Sequence, residues 1–199
     1  MQRELAFIVL LKSRRKYFMA SLLIGLMFFF FFQFLSNRYI FAFTRDGHYC
    51  LPYSTWLIKK DEKPGRGDYV SFVGHGTPNI ADGVRWVKVL SGMPGDRVRA
   101  VPIPFEERAA NNGVIEVSGL PVQKRLQGRV FLHTSPNSQA SEYKVFEKDT
   151  RGRSLSIIES QTIPPGHYFV STPAPRSFDS RYWGLIDEKD ILGKAYPIF

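Results

Sequence analysis

The chain has 199 residues, 44% of them hydrophobic, and 27 Lys and Arg against 18 Asp and Glu give a formal net charge of +9. This charge would suit nucleic acid, but the Lys and Arg are scattered and no basic-aromatic recognition motif is present, so we expect no nucleic-acid partner. An anionic lipid surface is the simpler partner. The single cysteine excludes an internal disulfide, so it is either buried and inert or kept free for chemistry.

An uncharged apolar run at residues 17–35 predicts a transmembrane anchor. Lipid offers no partners for backbone N–H and C=O groups, so a run of about 20 apolar residues spans a bilayer as a helix. More basic residues precede the run than follow it, which predicts a cytoplasmic segment at residues 1–16 and a single-pass topology with the rest of the chain on the far side. The basic residues before the run are Lys12, Arg14, Arg15 and Lys16.

Two other interpretations of this run are weaker. A cleavable signal peptide has an apolar core of about 7–15 residues that ends in a small-residue cleavage site, whereas this run is longer and lacks an A-x-A-like pattern. A core helix of a soluble protein would keep a polar face, whereas residues 28–32 are consecutive phenylalanines. We therefore expect a retained anchor.

Beyond the anchor, short apolar or alternating runs recur between Gly, Pro and Asn turns, which predicts a mainly β fold with an antiparallel sheet. Turns are predicted at residues 64–65, 94–95, 111–113, 151–152 and 165–166. Strands are predicted at residues 69–73, 84–90, 97–101, 114–117, 129–133, 154–158, 167–171 and 193–198. Residues 102–163 are more polar than their flanks, so we expect a small β-hairpin insertion there, with residues 44–101 and 164–199 forming a catalytic β domain.

Cys50 and Lys88 are the first candidates for chemistry. Lys88 lies in an apolar stretch where a strand of period two would place it on one face with Trp86 and Leu90. Burial on such a face lowers the pKa of a lysine, so that a neutral amine is available as a base. The alternatives are a small buried hydrophobic residue at Cys50 and a lysine that extends from a strand edge into solvent.

A thiol is well matched to a lysine base. Reference pKa values of about 8.5 for a thiol and 10.4 for lysine make proton transfer from thiol to amine favourable by roughly two units. An alcohol with a pKa near that of water, about 15.7, faces an unfavourable difference of roughly five units, or about 7 kcal/mol. A Cys50–Lys88 pair therefore needs less adjustment by its surroundings than a Ser–Lys pair.

A segment near the C-terminus supplies further candidates. Asp179 and Arg181 would form an ion pair in a loop, and the Ser177 hydroxyl would orient a lysine amine, although such segments are also typical of simple turns. The four histidines lack the spacing of metal ligands, and no glycine-rich phosphate-binding loop is present, so we expect neither a metal nor a cofactor.

Taken in chain order, several segments resemble the sequence boxes of the type I signal peptidases, which are membrane-bound Ser–Lys proteases. The stretch VKVLSGMPGD at residues 87–96 resembles the lysine box of that family, and SFDSRYWG at residues 177–184 resembles a later box. Shorter motifs match in the same order: GDYV at residues 67–70, PPGHYF at 164–169 and LGKA at 192–195. The resemblance covers residues 48–101 and 164–199, and the insertion shows no detailed match.

The resemblance implies a role for each matching residue. Lys88 would be the general base, Ser177 would orient its amine, and Asp179 and Arg181 would brace the site. Cys50 stands where the family has its nucleophilic serine, and the CLP sequence at residues 50–52 resembles the SMP start of the conjugative-transfer branch, the TraF-type pilin-processing peptidases.

Two further residues bear on the nucleophile. His48 lies where the housekeeping branch has a hydroxyl residue that helps to hold the oxyanion, and an N–H from His48 would complete that hole together with the backbone N–H of Cys50. Otherwise His48 faces solvent in a loop. Ser54 is a second candidate nucleophile, but it fits the register of the motif poorly.

The resemblance implies an endopeptidase of the signal peptidase I type in the inner membrane, with its catalytic domain in the periplasm. The expected substrate is a pro-pilin or another exported chain with a signal peptide, and conjugative secretion subunits are further expected partners. A thioester at Cys50 permits hydrolysis or acyl transfer to the substrate's own amine, which would yield a cyclic pilin. The alternative is a degenerate peptidase fold that acts as a scaffold or pilin-binding subunit. A thiol redox protein is disfavoured, because no Cys-x-x-Cys is present.

Overall fold

The computed structural model describes residues 2–44, 50–75, 82–104, 113–117, 120–124, 126–135, 138–149 and 151–199. The chain divides into two compact units, Met1–Ile40 and Phe41–Phe199.

The first unit consists almost entirely of one long helix, α1, at Gln2–Arg38. Its Arg14–Arg38 segment has 25 residues and contains an 18-residue window with a mean hydropathy of 2.2. By length and composition it could therefore cross a membrane, as a signal sequence near an N-terminus also could. The side chains of residues 14–34 are exposed. The predicted span at residues 17–35 lies within this segment.

The second unit is built from short strands, as the turn pattern predicts. In chain order, the strands are β1 Tyr39–Phe43, β2 Thr55–Lys59, β3 Tyr69–Val73, β4 Arg85–Gly92, β5 Arg97–Pro102, β6 Gly113–Val117, β7 Leu120–Lys124, β8 Leu126–His133, β9 Ser141–Phe146, β10 Gln161–Thr162, β11 His167–Ser171, β12 Ile186–Asp187 and β13 Ile191–Pro197. A four-residue helix, α2, lies at Ser180–Trp183, and a 3₁₀ turn lies at Glu188–Asp190.

These strands form a larger sheet, a smaller sheet and a hairpin. The larger sheet has the order β1-β2-β13-β3-β4-β11-β12, the smaller has the order β10-β5-β8-β9, and β6 pairs with β7. Every strand pair with a described register is antiparallel, which confirms the predicted mainly β, antiparallel fold. The expected domain division at residues 102 and 163 stays a prediction.

Individual strand predictions differ in accuracy. The predicted strands at residues 69–73 and 167–171 coincide with β3 and β11. The strand predicted at residues 154–158 is wrong, because this segment contributes only an isolated bridge at Ser154. The backbone N–H of Ile158 is instead bound to the carbonyl of Arg181 at 2.8 Å, and the Ile158 side chain packs into the core. The predicted turn at residues 111–113 lies partly outside the described residues.

The turn after β4 explains why residues 92–96 read Gly-Met-Pro-Gly-Asp. Gly95 has a φ of 92°, which favours glycine. The buried Asp96 carboxylate accepts a hydrogen bond from the Met93 N–H at 2.8 Å and two from the Arg66 guanidinium at 2.5 and 3.0 Å. A Cβ on Gly92 would lie 2.7 Å from the Ile163 Cδ1 atom, so glycine is required for close packing here. The turn therefore fixes the end of the strand that carries Lys88.

Candidate active site

Lys88 lies in the middle of β4 with its side chain in the protein interior. The strand alternates along its length, and Lys88 and Leu90 are buried while Val87 and Val89 are partly exposed. Lys88 pairs with Val70 of β3 and is 2% exposed, which is rare for a lysine. The interpretation of Lys88 as a solvent-facing lysine is therefore wrong.

The Lys88 amine has few polar neighbours. Its Nζ atom donates a hydrogen bond to the Ser177 Oγ atom at 2.8 Å and lies 5.5 Å from the centre of the Trp86 ring. Burial lowers the pKa of Lys88 below its ordinary value, because an ammonium loses its hydration there. The charges of Cys50 and Asp179 oppose this shift, and that of Arg181 adds to it. The net direction favours a neutral amine.

Cys50 lies at a bend before β2 and is half-buried. Its side chain is close enough to the Lys88 amine to act on it electrostatically and to raise the pKa of that lysine. The next residue, Leu51, is 8% exposed and anchors the bend in the interior, whereas Pro52 is exposed. The two side chains predicted to form a nucleophile and base are thus neighbours, although 38 positions separate residues 50 and 88 in the chain.

The other predicted residues near the nucleophile have different positions. His48 lies outside the described residues. The backbone N–H and hydroxyl of Ser54 both point to the Phe199 carbonyl, at 2.7 and 3.5 Å. Ser54 therefore contacts the last residue of the chain through these groups.

Asp179 and Arg181 form a buried ion pair at the start of α2. Asp179 is the N-cap residue of α2, and its Oδ1 atom accepts the Arg181 N–H at 3.2 Å. The Arg181 guanidinium donates two hydrogen bonds to the same carboxylate, at 2.7 and 2.8 Å. Asp179 is fully buried and Arg181 is 1% exposed, so water does not screen the attraction between the two charges.

The remaining donors of Arg181 hold the segment that leads to Ser177. They bind backbone carbonyl oxygens of residues 144, 174, 175 and 177, at 3.1, 3.2, 3.3 and 2.9 Å respectively. Three of these carbonyls lie in the connection between β11 and α2. The ion pair predicted to brace the site therefore holds Ser177 where it meets Lys88.

Sequence reasoning missed two buried hydroxyls beside this connection. The Ser180 Oγ atom accepts the Val170 N–H at 3.0 Å and joins α2 to β11. Thr172, which follows β11, is 1% exposed, and its Oγ1 atom has no hydrogen-bond partner among the described residues. A Ser after an N-cap Asp is a weak signal for the first contact, and no local signal identifies the second.

The arrangement suits proton transfer between a nucleophile and an amine. A desolvated lysine oriented by a hydroxyl can take a proton from an adjacent thiol and later give it to a leaving group. In the family that these motifs resemble, a serine occupies the position of Cys50.

Comparison with known proteins identifies the family of the chain. Residues 14–199 match the family described as signal peptidase, peptidase S26. The chain is 32% identical over 84 residues to the conjugal transfer protein TraF of Agrobacterium fabrum, which covers 42% of this chain and 46% of the relative. It is 29% identical over 182 residues to signal peptidase I of Haemophilus influenzae, which covers 69% and 51% of the two chains.

A third relative is matched over more of its length. The chain is 25% identical over 147 residues to the probable conjugal transfer protein TraF of Sinorhizobium fredii, which covers 74% of this chain and 71% of that protein. The chain spans about half the length of the first two relatives. Because the family match includes the strand of Lys88, the bend of Cys50 and the connection to Ser177, the chain belongs to the signal peptidase family, peptidase S26.

Proposed function

We propose that this protein is a membrane-anchored endopeptidase that processes a pro-pilin or another exported substrate of a conjugative transfer apparatus. Membership of a peptidase family supports the hydrolase class, and the relatives named conjugal transfer protein TraF support the biological setting. One observation carries the proposal: the buried Lys88 amine is hydrogen-bonded to Ser177 and interacts with the Cys50 thiol.

In the proposed reaction, Cys50 and Lys88 act as a dyad. Lys88 takes the thiol proton as the Cys50 Sγ atom attacks the scissile carbonyl, and the backbone N–H of Cys50 and His48 stabilise the oxyanion. The peptide C–N bond breaks, Lys88 returns the proton to the leaving amine, and a thioester remains on Cys50. Ser177, Asp179 and Arg181 hold the amine in position.

The thioester can be resolved in two ways. Attack by water releases a shortened linear chain, whereas attack by the substrate's own N-terminal amine releases a cyclic one. A thiolate is a good leaving group, and amines attack thioesters well. A thioester on Cys50 could therefore give either product. The cyclic product is lighter than the linear one by one water, which makes the two distinguishable by mass.

We also propose that α1 anchors the protein in the inner membrane. Its apolar segment, with basic residues at its N-terminal end, favours a cytoplasmic N-terminus and a periplasmic catalytic unit. The catalytic unit would then lie on the side of the membrane to which a substrate is exported. Conjugative secretion subunits are further proposed partners.

The test uses the full chain in detergent with a pro-pilin of a conjugative transfer apparatus as substrate, and follows the product by intact-mass spectrometry. We expect Lys88→Met to lower the cleavage rate by about 10²–10⁴-fold, because it removes the general base. We expect Cys50→Ala to abolish the thioester. Ser54→Ala serves as the control and should cleave at the wild-type rate, because its hydroxyl lies on the Phe199 carbonyl.

The outcomes separate the proposed function from its alternative. Normal maturation by folded Cys50→Ala and Lys88→Met variants would reject the peptidase and leave the scaffold or pilin-binding subunit. Loss of cleavage in Ser54→Ala together with activity in Cys50→Ala would move the nucleophile to Ser54.

A further inference from the structure

The connection between β11 and α2 carries two buried hydroxyls, one at its start and one near its end. Ser177, near its end, is fully buried and accepts the hydrogen bond from Lys88. Thr172, at its start, is 1% exposed, and its Oγ1 atom has no partner among the residues that the structure describes. A buried hydroxyl without a partner is costly, because it has lost its hydrogen bonds to water. Thr172 therefore calls for a functional explanation.

The strand register places Thr172 beside Lys88. Val170 of β11 pairs with Leu90 of β4, and Ser171 pairs with Val89. The paired residues end at Ser171, and continuing the same antiparallel register by one step would put Thr172 opposite Lys88. Directly opposed residues share a face, with Cβ atoms about 5 Å apart.

The contacts of the neighbouring residue agree with this assignment of faces. The Ser171 Oγ atom meets the Ser91 Oγ atom at 2.6 Å, on the side of the sheet where Val89 points. Because side chains alternate along a strand, Thr172 belongs to the opposite side, with Val170, Leu90 and Lys88. Val170 and Leu90 pack in one apolar cluster on that side.

The chemistry of the amine defines what the second hydroxyl can do. A neutral amine has two N–H bonds and one lone pair, and an ammonium has three N–H bonds. Ser177 accepts one N–H. When the amine takes the thiol proton, a second acceptor beside it would stabilise the ammonium that forms.

We propose that Thr172 is a positioning residue whose Oγ1 atom, unpartnered among the described residues, accepts a second hydrogen bond from Lys88 once the amine has taken the thiol proton. The inference rests on the proposed function, in which Lys88 exchanges a proton with Cys50. The charged groups that act on the Lys88 amine among the described residues are Cys50, Asp179 and Arg181. Thr172 adds a neutral acceptor to this set, and it stabilises the ammonium more than the amine.

Loss of this acceptor should therefore shift the proton within the pair. Without it, the ammonium that forms when Lys88 takes the thiol proton is less stable, so Cys50 reacts more slowly as a nucleophile. Cys50 is the only cysteine in the chain, so alkylation by iodoacetamide, followed by intact-mass spectrometry, reports on this one thiol without a substrate.

The experiment compares alkylation rates of the full chain in detergent at pH 7. We expect Thr172→Val, which keeps the branched shape, to slow alkylation about 10-fold, and Thr172→Ser to restore the rate to within about twofold. Ser71→Ala is the matched control and should react at the wild-type rate. Ser71 is also fully buried with an unpartnered hydroxyl among the described residues, but it pairs with Val87 and so faces the other side of the sheet.

A Lys88→Met variant separates the two hypotheses. If Lys88→Met alkylates at the wild-type rate, the proposed dyad is wrong. If Lys88→Met is slow but Thr172→Val is not, or if Thr172→Ser fails to restore the rate, the role of Thr172 is wrong and the dyad stands. An equally slow Ser71→Ala would also overturn that role. Should Thr172→Val lose its native circular dichroism, Thr172→Ala is measured in its place under the same criteria.

Discussion

At the scale of single residues, the burial of Lys88 lowers the stability of the fold and also prepares its amine to act as a base. Its strand places a charged group among apolar neighbours, and burial lowers its pKa. Burial therefore shifts this amine towards the neutral form that a base requires, and this shift costs folding free energy wherever the unfolded chain keeps the proton. Each unit of pKa shift corresponds to about 1.4 kcal/mol. The same burial that activates Lys88 thus destabilises the fold.

This linkage predicts a pH-dependent gain from Lys88→Met. The folded-state pKa lies below the unfolded value, so between the two values the unfolded chain binds more protons, and the free energy of unfolding rises with pH. Lys88→Met should be more stable than its parent at pH 7, and the difference should shrink as the pH approaches 10.5. Denaturant unfolding at pH 7 and pH 10 measures it, with both chains carrying Cys50→Ala to remove the thiol.

A parent chain and a Lys88→Met variant with the same pH dependence would contradict this prediction. Such a result would mean that Lys88 keeps its proton on folding and that its burial does not set its state.

At the scale of elements, the connection between β11 and α2 is held by one side chain. Arg181 joins the Asp179 carboxylate to four backbone carbonyls, three of them in this connection. A short helix of four residues could not position Ser177 by its own stability, because isolated helices of this length do not form. The geometry at Lys88 therefore depends on the Arg181 network.

Replacing Arg181 with Met should destabilise the protein by about 3–5 kcal/mol, since Asp179 would remain buried without its counter-charge. The matched control is Arg129→Met, which breaks an ion pair with Glu142 whose side chains are 49% and 41% exposed. That change should cost no more than about 1 kcal/mol. Denaturant unfolding measures the stability of both variants. Equal decreases in the free energy of unfolding would show that the buried Arg181 network stabilises the fold no more than an exposed ion pair does.

β13 depends on a glycine in the same way that α2 depends on Arg181. Gly193 has a φ of 145°, and a Cβ there would lie 2.1 Å from the Lys59 carbonyl oxygen of β2. We expect Gly193→Ala to lower the free energy of unfolding by about 3 kcal/mol. The new Cβ would force the backbone of Lys59 away from the strand with which it pairs. Gly65→Ala is the control, since its Cβ would meet only the Asp68 Oδ2 atom at 3.5 Å. A Gly193→Ala protein as stable as Gly65→Ala would refute this account.

At the scale of the whole molecule, the two units follow different physical rules. The Arg14–Arg38 segment is apolar and exposed, whereas the described residues of the second unit bury apolar side chains in two core clusters. Water penalises the first arrangement and favours the second. A lipid environment for α1 would resolve the contrast.

Two charges in the middle of α1 should release the protein from membranes. In the double variant Leu26→Arg, Phe30→Arg, each arginine would raise the free energy of membrane insertion by about 2.5–3.5 kcal/mol at the centre of a span. We expect the wild-type chain to stay in the membrane pellet after alkaline carbonate extraction and the double variant to be lost from it. Leu26→Phe with Phe30→Leu, which keeps the apolar content, should behave like wild type. Release of the wild-type chain by carbonate would reject the anchor.

The sequence by itself determined the features that depend on neighbouring residues. The apolar length of residues 17–35, the alternation that buries Lys88, and the turns at residues 94–95 and 165–166 are local, so composition and period suffice to predict them. The order of the motifs likewise identified the family and selected Cys50, Lys88, Ser177, Asp179 and Arg181.

Only the tertiary structure decided which of these groups meet. Ser177 and Lys88 are 89 residues apart in the chain, and the carbonyls that bind Arg181 come from β9 and from the connection after β11. The segment at residues 154–158 has a strand-like composition, yet the Ile158 N–H binds the Arg181 carbonyl and leaves the segment outside both sheets. The Thr172 hydroxyl, which has no partner among the described residues, also could not be predicted from the neighbouring sequence. Hydrogen bonds between distant residues depend on the path of the whole chain, and a local pattern carries no information about that path.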